Sequence, residues 1–249
     1  TTCVIRASAA TSIFTITNGF VRIENVELDG NGVGVNGILF QSAFRSVVSM
    51  VDAHTFTGDG FRFDMPVGSN NNFVRCEYCR ANSNNRGFAV NGFQTDNNGL
   101  VFLDCEAQSN TGQGLLYRGV GVRIIGGQYS SNGTFGVELG QAADAGFTAD
   151  SILLYPWLET NGTDGVGTTR SVRNRILTSS GFTVTAAGTS TDMHEIIDVG
   201  GSTGSAQLVV RGEQVGGPLG GINVGGVGAA GCAAVGADAT RVARVGALT

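Results

Sequence analysis

The chain has 249 residues, 40 of them glycine and three proline, and its 20 acidic residues against 15 basic ones leave a formal net charge of −5. Every base is arginine and none cluster, so no nucleic-acid partner is expected, and no run of eighteen apolar residues offers a membrane span. Abundant Gly, Asn, Ser and Thr point instead to an all-β protein of many short strands and tight turns, long enough for one sizeable core.

The first residue is Thr, and no basic, apolar and small-residue pattern of a leader opens the chain. "TTCVIRASAATSIFTITNGF" reads as strand from its third residue, with no amphipathic helix to shield a core. The expectation is that upstream sequence has been removed or that a partner covers this end.

From there one pattern recurs. A glycine launches an apolar run at Gly37 (GILF), Gly60 (GFRF), Gly87 (GFAV), Gly114 (GLLY), Gly136 (GVEL) and Gly165 (GV), with spacings of 23, 27, 27, 22 and 29 residues. A second phase repeats with it in "FVRIENVEL", "FVRCEYC", "LVFLDCE" and "VGVRIIGG". Each unit holds two or three short strands and a Ser/Thr-Asn corner, with no helical periodicity, which is the coil of a β-solenoid.

Aligning the corners on Asn84, Asn110, Asn132 and Asn161 predicts the faces. Val51, Cys79 and Cys105 fall in one inward column, and Ala53, Ala81 and Ala107 in another. Between and beside them, two columns turn to solvent: Asp52, Arg80, Glu106, Gln128 and Trp157, then His54, Asn82, Gln108, Ser130 and Glu159. The corner asparagines are expected to form a ladder that satisfies the turn backbone. "NGT" at Asn132 and Asn161 matches a glycosylation sequon, but tight-turn chemistry explains it better.

The strings from "FVRIENVELDGNG" (20–32) through "GTFGVELG" (133–140) resemble the pectate-lyase-like right-handed β-helix superfamily, most of all the tailspike and capsid decoration (cement) proteins of bacteriophages. The resemblance covers roughly residues 3–177 and implies a right-handed, single-stranded parallel β-helix over 1–177. The motifs are those of a fold, and members include lyases, hydrolases, epimerases and virion proteins. The mannuronan epimerase branch carries an Asp-Pro-His-Glu motif; "VDAH" (51–54) lacks its Pro and Glu, which argues against that branch.

Past "RNRIL" (173–177) the pattern changes to isolated strands, "GFTVT", "MHEIIDVG" and "AQLVVRG", and then to a tail without charge between Glu213 and Asp238. Residues 178–249 are therefore read as a small C-terminal β and Gly-rich assembly module. In phage spikes this region closes a homotrimer, and the tail is similar in position and character. The resemblance thus implies a homotrimer, other virion proteins of capsid or tail as partners, and an extracellular place on the virion surface.

Chemistry is sought on the outward columns. Asp52 and Glu106 lie two coils apart with Arg80 between them, a spacing suited to inverting glycoside hydrolysis, or to lyase chemistry with Arg80 as base and a cation held by the acids. Chance neighbours among many acids, with Arg80 neutralising a surface ladder, are the plain structural alternative. Glu77 and Asp104 become neighbours if "VRCE" and "VFLD" are in register. His54 beside Asp52 lacks the strained Ser of a triad. Trp157 and Phe102 are expected to point outward as platforms for sugar rings, or else to pack against a loop or subunit. The five cysteines, Cys3, Cys76, Cys79, Cys105 and Cys232, are an odd scattered set. "CEYC" has half a zinc spacing but no second pair, and His54 and His194 are the only histidines, so no metal and no cofactor is expected. Two functions remain: a virion surface protein acting in assembly and attachment to host surface polysaccharide, or a polysaccharide lyase or glycoside hydrolase.

Overall fold

The computed structural model describes residues 3–64, 70–91, 97–140 and 148–167, together with the backbone of short strands between 171 and 224. Among the described residues there is no helix, and so none long and apolar enough to cross a membrane. Two ladders of strands run up the molecule. One contains Phe14–Ile16, Ile38–Phe40, Asp59–Phe63, Arg86–Val90, Leu115–Tyr117, Phe135–Leu139, Asp164–Gly167 and Val184–Thr185, paired parallel throughout.

The other ladder starts with Cys3–Arg6, runs through two long strands, Arg22–Asp29 and Val47–His54, and then divides. Val47–His54 pairs with Arg75–Glu77 along its first half and with Arg80–Asn82 along its second. The break between the halves is a left-handed corner, filled by Tyr78 (φ 53°), Asp104 (φ 47°), Gly126 (φ 61°) and Tyr155 (φ 53°) in successive coils. A non-glycine residue in this region costs roughly 1–2 kcal/mol. The cost is offset because each corner amide donates to the next coil, as Tyr78 N does to Leu103 O (2.9 Å) and Asp104 N to Ile125 O (2.8 Å). The result is a parallel β-helix, as the repeat implied. Parallel pairing continues through Arg175–Thr178 to Glu195–Val199, where Leu208–Arg211 joins antiparallel.

The repeated glycine is explained by space. A Cβ on Gly37 would lie 2.5 Å from Gly60 O, one on Gly87 2.5 Å from Gly114 O, and one on Gly114 2.6 Å from Gly136 O. The alanine column faces this glycine column, so the coil is thin here. Elsewhere the interior is filled by aromatic rings: Phe40 stacks on Phe63 at 4.1 Å, Phe61 on Phe88 at 4.8 Å, and Phe102 meets Phe88 edge-on at 5.3 Å. Each buried ring contributes about 1.5–3 kcal/mol.

The corner asparagines form the expected ladder. Asn110 donates Nδ2 to Ala81 O (3.0 Å) and to Asn132 Oδ1 (2.9 Å), while its own Oδ1 accepts from Asn84 N (3.0 Å). Asn132 and Asn161 repeat the arrangement, and both amides of the "NGT" strings are spent in it. A second ladder, Asn71 to Asn97, holds another corner and was not anticipated from the sequence. Its signal, the pairs "NNF" and "NNG" at 71–73 and 97–99, is present in the repeat.

Two expectations are corrected. Phe102 does not face solvent: it is fully buried, aligned with Cys76 and Ile124 in an inward column. The left-handed corner at Asp104 takes up one residue and reverses the alternation that would otherwise carry Phe102 outward. For the same reason Glu77 pairs with Leu103, and Asp104 sits at the corner instead of beside it. The tail from 214, with His194 and Cys232, lies outside the described residues apart from the short strand Asn223–Val224.

Candidate functional site

The solvent face of the second half-ladder carries the candidate chemistry. Its register is Asp52 to Arg80, Arg80 to Glu106, Glu106 to Gln128 and Gln128 to Trp157, with His54, Asn82, Gln108, Ser130 and Glu159 in the parallel column. Inward neighbours Ala53, Ala81, Ala107 and Tyr129 anchor each strand in the core, which fixes the facing of the residues between them.

Arg80 joins the two carboxylates. Its Nη1 donates to Asp52 Oδ2 (3.3 Å) and its Nε to Glu106 Oε2 (3.1 Å). A guanidinium bound on both sides is a linker, and it occupies the place between the acids that a cation would need. Among the described residues no group of three or more His, Cys, Asp and Glu side chains is arranged to hold a metal ion.

Asp52 is a perturbed group on this face. Burial raises its carboxyl above the ordinary range, Arg80 and His54 pull it down, and Glu27 and Glu106 push it up, with a net upward shift. Its Oδ1 is buried without a hydrogen-bond partner. A half-buried carboxyl held toward its protonated form is a candidate proton donor.

Sequence reasoning missed the contribution of the preceding coil. Glu27 stands beside Asp52 and Asp29 beside His54 in the register of Arg22–Asp29 against Val47–His54. His54 Nε2 lies 3.1 Å from Glu27 Oε1 and its Nδ1 3.3 Å from Thr55 Oγ1. Asp29 accepts from Thr55 Oγ1 (2.8 Å), Asn31 N (2.8 Å) and Arg6 Nε (2.7 Å), and these bonds, Thr55 foremost, hold its carboxyl below the ordinary range. The signal was legible: "VELD" and "VDAH" are aligned strings, each with acids or His at the outward positions.

At the far end, Trp157 projects outward and is 56% exposed, with its Nε1 donating to Glu159 Oε2 at 2.9 Å. Tyr155, at the left-handed corner two residues before it, is also exposed. Phe102 takes no part, being in the core. Cys76, Cys79 and Cys105 are interior, with Cys79 donating to Val48 O (3.4 Å) and Cys105 to Cys76 O (3.3 Å), while Cys3 is exposed.

No family model and no curated protein matches the chain. Among solved structures it is similar to the A-module of the mannuronan C-5 epimerase AlgE4 from Azotobacter vinelandii, with a TM-score of 0.50 and 16% identity over 80% of this chain and 70% of that one. At this identity the likeness shows the fold alone, a parallel β-helix. The matched structure is a polysaccharide-modifying module and not a virion protein, so the resemblance to phage spikes rests on the sequence pattern alone. In the string "VDAH" the carboxylate beside His54 comes from Glu27, one coil back.

Proposed function

We propose that the protein binds a polysaccharide along this outward face and hydrolyses it, with Asp52 as the proton donor and Glu106 as the base. The observation that carries the reading is the column Asp52, Arg80, Glu106, in register and joined by Arg80. The likeness to a polysaccharide-modifying module and the exposed Trp157 in the same column support it. Two coil steps of about 4.8 Å separate the acid backbones, a wide spacing that suits inversion over a covalent intermediate, with sugar and water lying over the Arg80 guanidinium that bridges the two carboxylates. In that step the water oxygen bonds to the anomeric carbon as the bond to the glycosidic oxygen breaks. Asp52 gives its proton to the leaving oxygen, and Glu106 takes one from the water. Arg80 fixes both carboxylates in place.

The wider setting we propose is a surface protein, trimeric or docked on a larger particle such as a virion, in which this face meets a host glycan. What supports it is the repeat pattern and the uncharged, glycine-rich stretch after Glu213. The hydrolytic reading is tested by incubating the protein with a panel of bacterial surface polysaccharides and following reducing ends and their anomeric form. Release of the inverted anomer supports it, and no release from any glycan overturns it.

A further inference from the structure

The charge of the face bears on which glycan it takes. Carboxylates stand at Glu27, Asp29, Asp52, Glu106 and Glu159, and the cations among them are already engaged. Arg80 is shared by Asp52 and Glu106, and Arg6 is held by Asp29. Arg22, Arg75 and Arg123 lie on the other side of the left-handed corner, on the first half-ladder, where Glu24 and Glu77 pair with the first two. A chain of uronates laid on this face would set its carboxylates against carboxylates, with no free cation between Glu27 and Glu159 in these two columns to receive them.

The reaction points the same way. Elimination and C-5 epimerisation both remove a proton next to a sugar carboxylate, and the charge that develops there needs a cation or strong donors to stabilise it. The cation best placed for that, Arg80, is bound on both sides by acids. Hydrolysis asks for no such group; it needs an acid and a base at the spacing that Asp52 and Glu106 have. At the other end of the column, the open face of Trp157 with Glu159 fixed at its ring edge combines two attractions for an ammonium group, the π-face and the carboxylate.

Resting on the reading of this face as a glycan site, we infer that its ligand is a polysaccharide free of uronate, with amino sugars bearing a free ammonium bound in preference to neutral sugars and neutral sugars in preference to uronates. This differs from the substrate named for the epimerase module of similar fold.

The test is calorimetric titration of the full chain with three probes: a β-1,4-linked glucosamine hexamer, cellohexaose and a mannuronate hexamer. The glucosamine hexamer is expected to bind at least about tenfold more tightly than the mannuronate hexamer, the gap narrowing as salt rises. Trp157→Ala, which leaves the charge unchanged, is expected to weaken the glucosamine hexamer several-fold. If that variant binds it as well as wild type, net charge alone is the attraction and the inference falls. A mannuronate hexamer bound as tightly or more tightly, and weakened by Trp157→Ala, overturns the preference while keeping the glycan face. Binding of none of the three overturns both.

Discussion

Arg80 lies directly beside Asp52 in the parallel ladder and donates to its carboxylate across 3.3 Å, although the corner that follows Arg80 is one residue shorter than its neighbours. The shortage is absorbed after Asn84, where Arg86 aligns with Asp59 and binds it through Nε and Nη2 at 2.7 and 2.9 Å. Asn84 itself stays in its ladder, so the strand before it keeps its facing. The candidate site therefore depends on the corner asparagines as much as on its own residues.

Asn110→Ala is expected to destabilise the protein by about 2–4 kcal/mol, because it leaves Ala81 O, Asn84 N and Asn132 Oδ1 with lost or weakened partners in a buried corner. Asn85→Ala, at the exposed position one residue past the ladder, is expected to cost under about 1 kcal/mol. Urea denaturation followed by circular dichroism compares the two.

Gly87→Ala is expected to prevent folding or to cost more than about 3 kcal/mol, since the added carbon meets Gly114 O at 2.5 Å and Ala107 Cβ at 2.7 Å. Gly32 points its missing side chain into open space but has φ +69°, so Gly32→Ala is expected to cost only about 1–2 kcal/mol of backbone strain. Thermal melts of both variants check the contrast.

The outward column was legible in the sequence because it lies between two anchors of fixed spacing, the Cys/Ala inward positions and the Asn corner. Over Cys79 to Asn82 strict alternation holds, and Asp52, Arg80, Glu106 and Trp157 all face as the repeat implied. Phe102 failed because alternation was carried backward through Asp104, whose left-handed backbone interrupts it. Tyr78 and Tyr155 adopt the same geometry without the usual composition of such turns, so only the interlocked coils reveal it. The His54–Glu27 pair was legible only by setting "VELD" against "VDAH", in the coil before the repeat becomes regular, where one long strand does the work of two later ones.

Asp52→Asn is expected to raise thermal stability at pH 7 while removing activity. The folded carboxyl is shifted upward, so the folded state binds its proton more tightly than the unfolded chain, and stability is lost as pH rises through the folded value. A side chain that cannot ionise escapes that loss. The advantage is expected to vanish below about pH 4, where the carboxyl is protonated in both states. Melting temperature against pH for the two proteins checks the sign.

Deletion of residues 214–249 is expected to reduce the proposed trimer to monomers, because this glycine-rich segment carries no charge before Asp238 with which to solvate itself. Multi-angle light scattering checks the mass. A full-length chain that is already a compact monomer, unchanged by the deletion, contradicts the assembly reading.

The most direct test of the account is the rate of glycan cleavage by wild type, Asp52→Asn and Glu106→Gln under one set of conditions. Each substitution removes a proton carrier while keeping shape and the acceptor for Arg80, and each is expected to lower kcat by about a hundredfold or more with little change in folding. Cleavage that survives both substitutions within twofold of wild type places the chemistry elsewhere and contradicts the site.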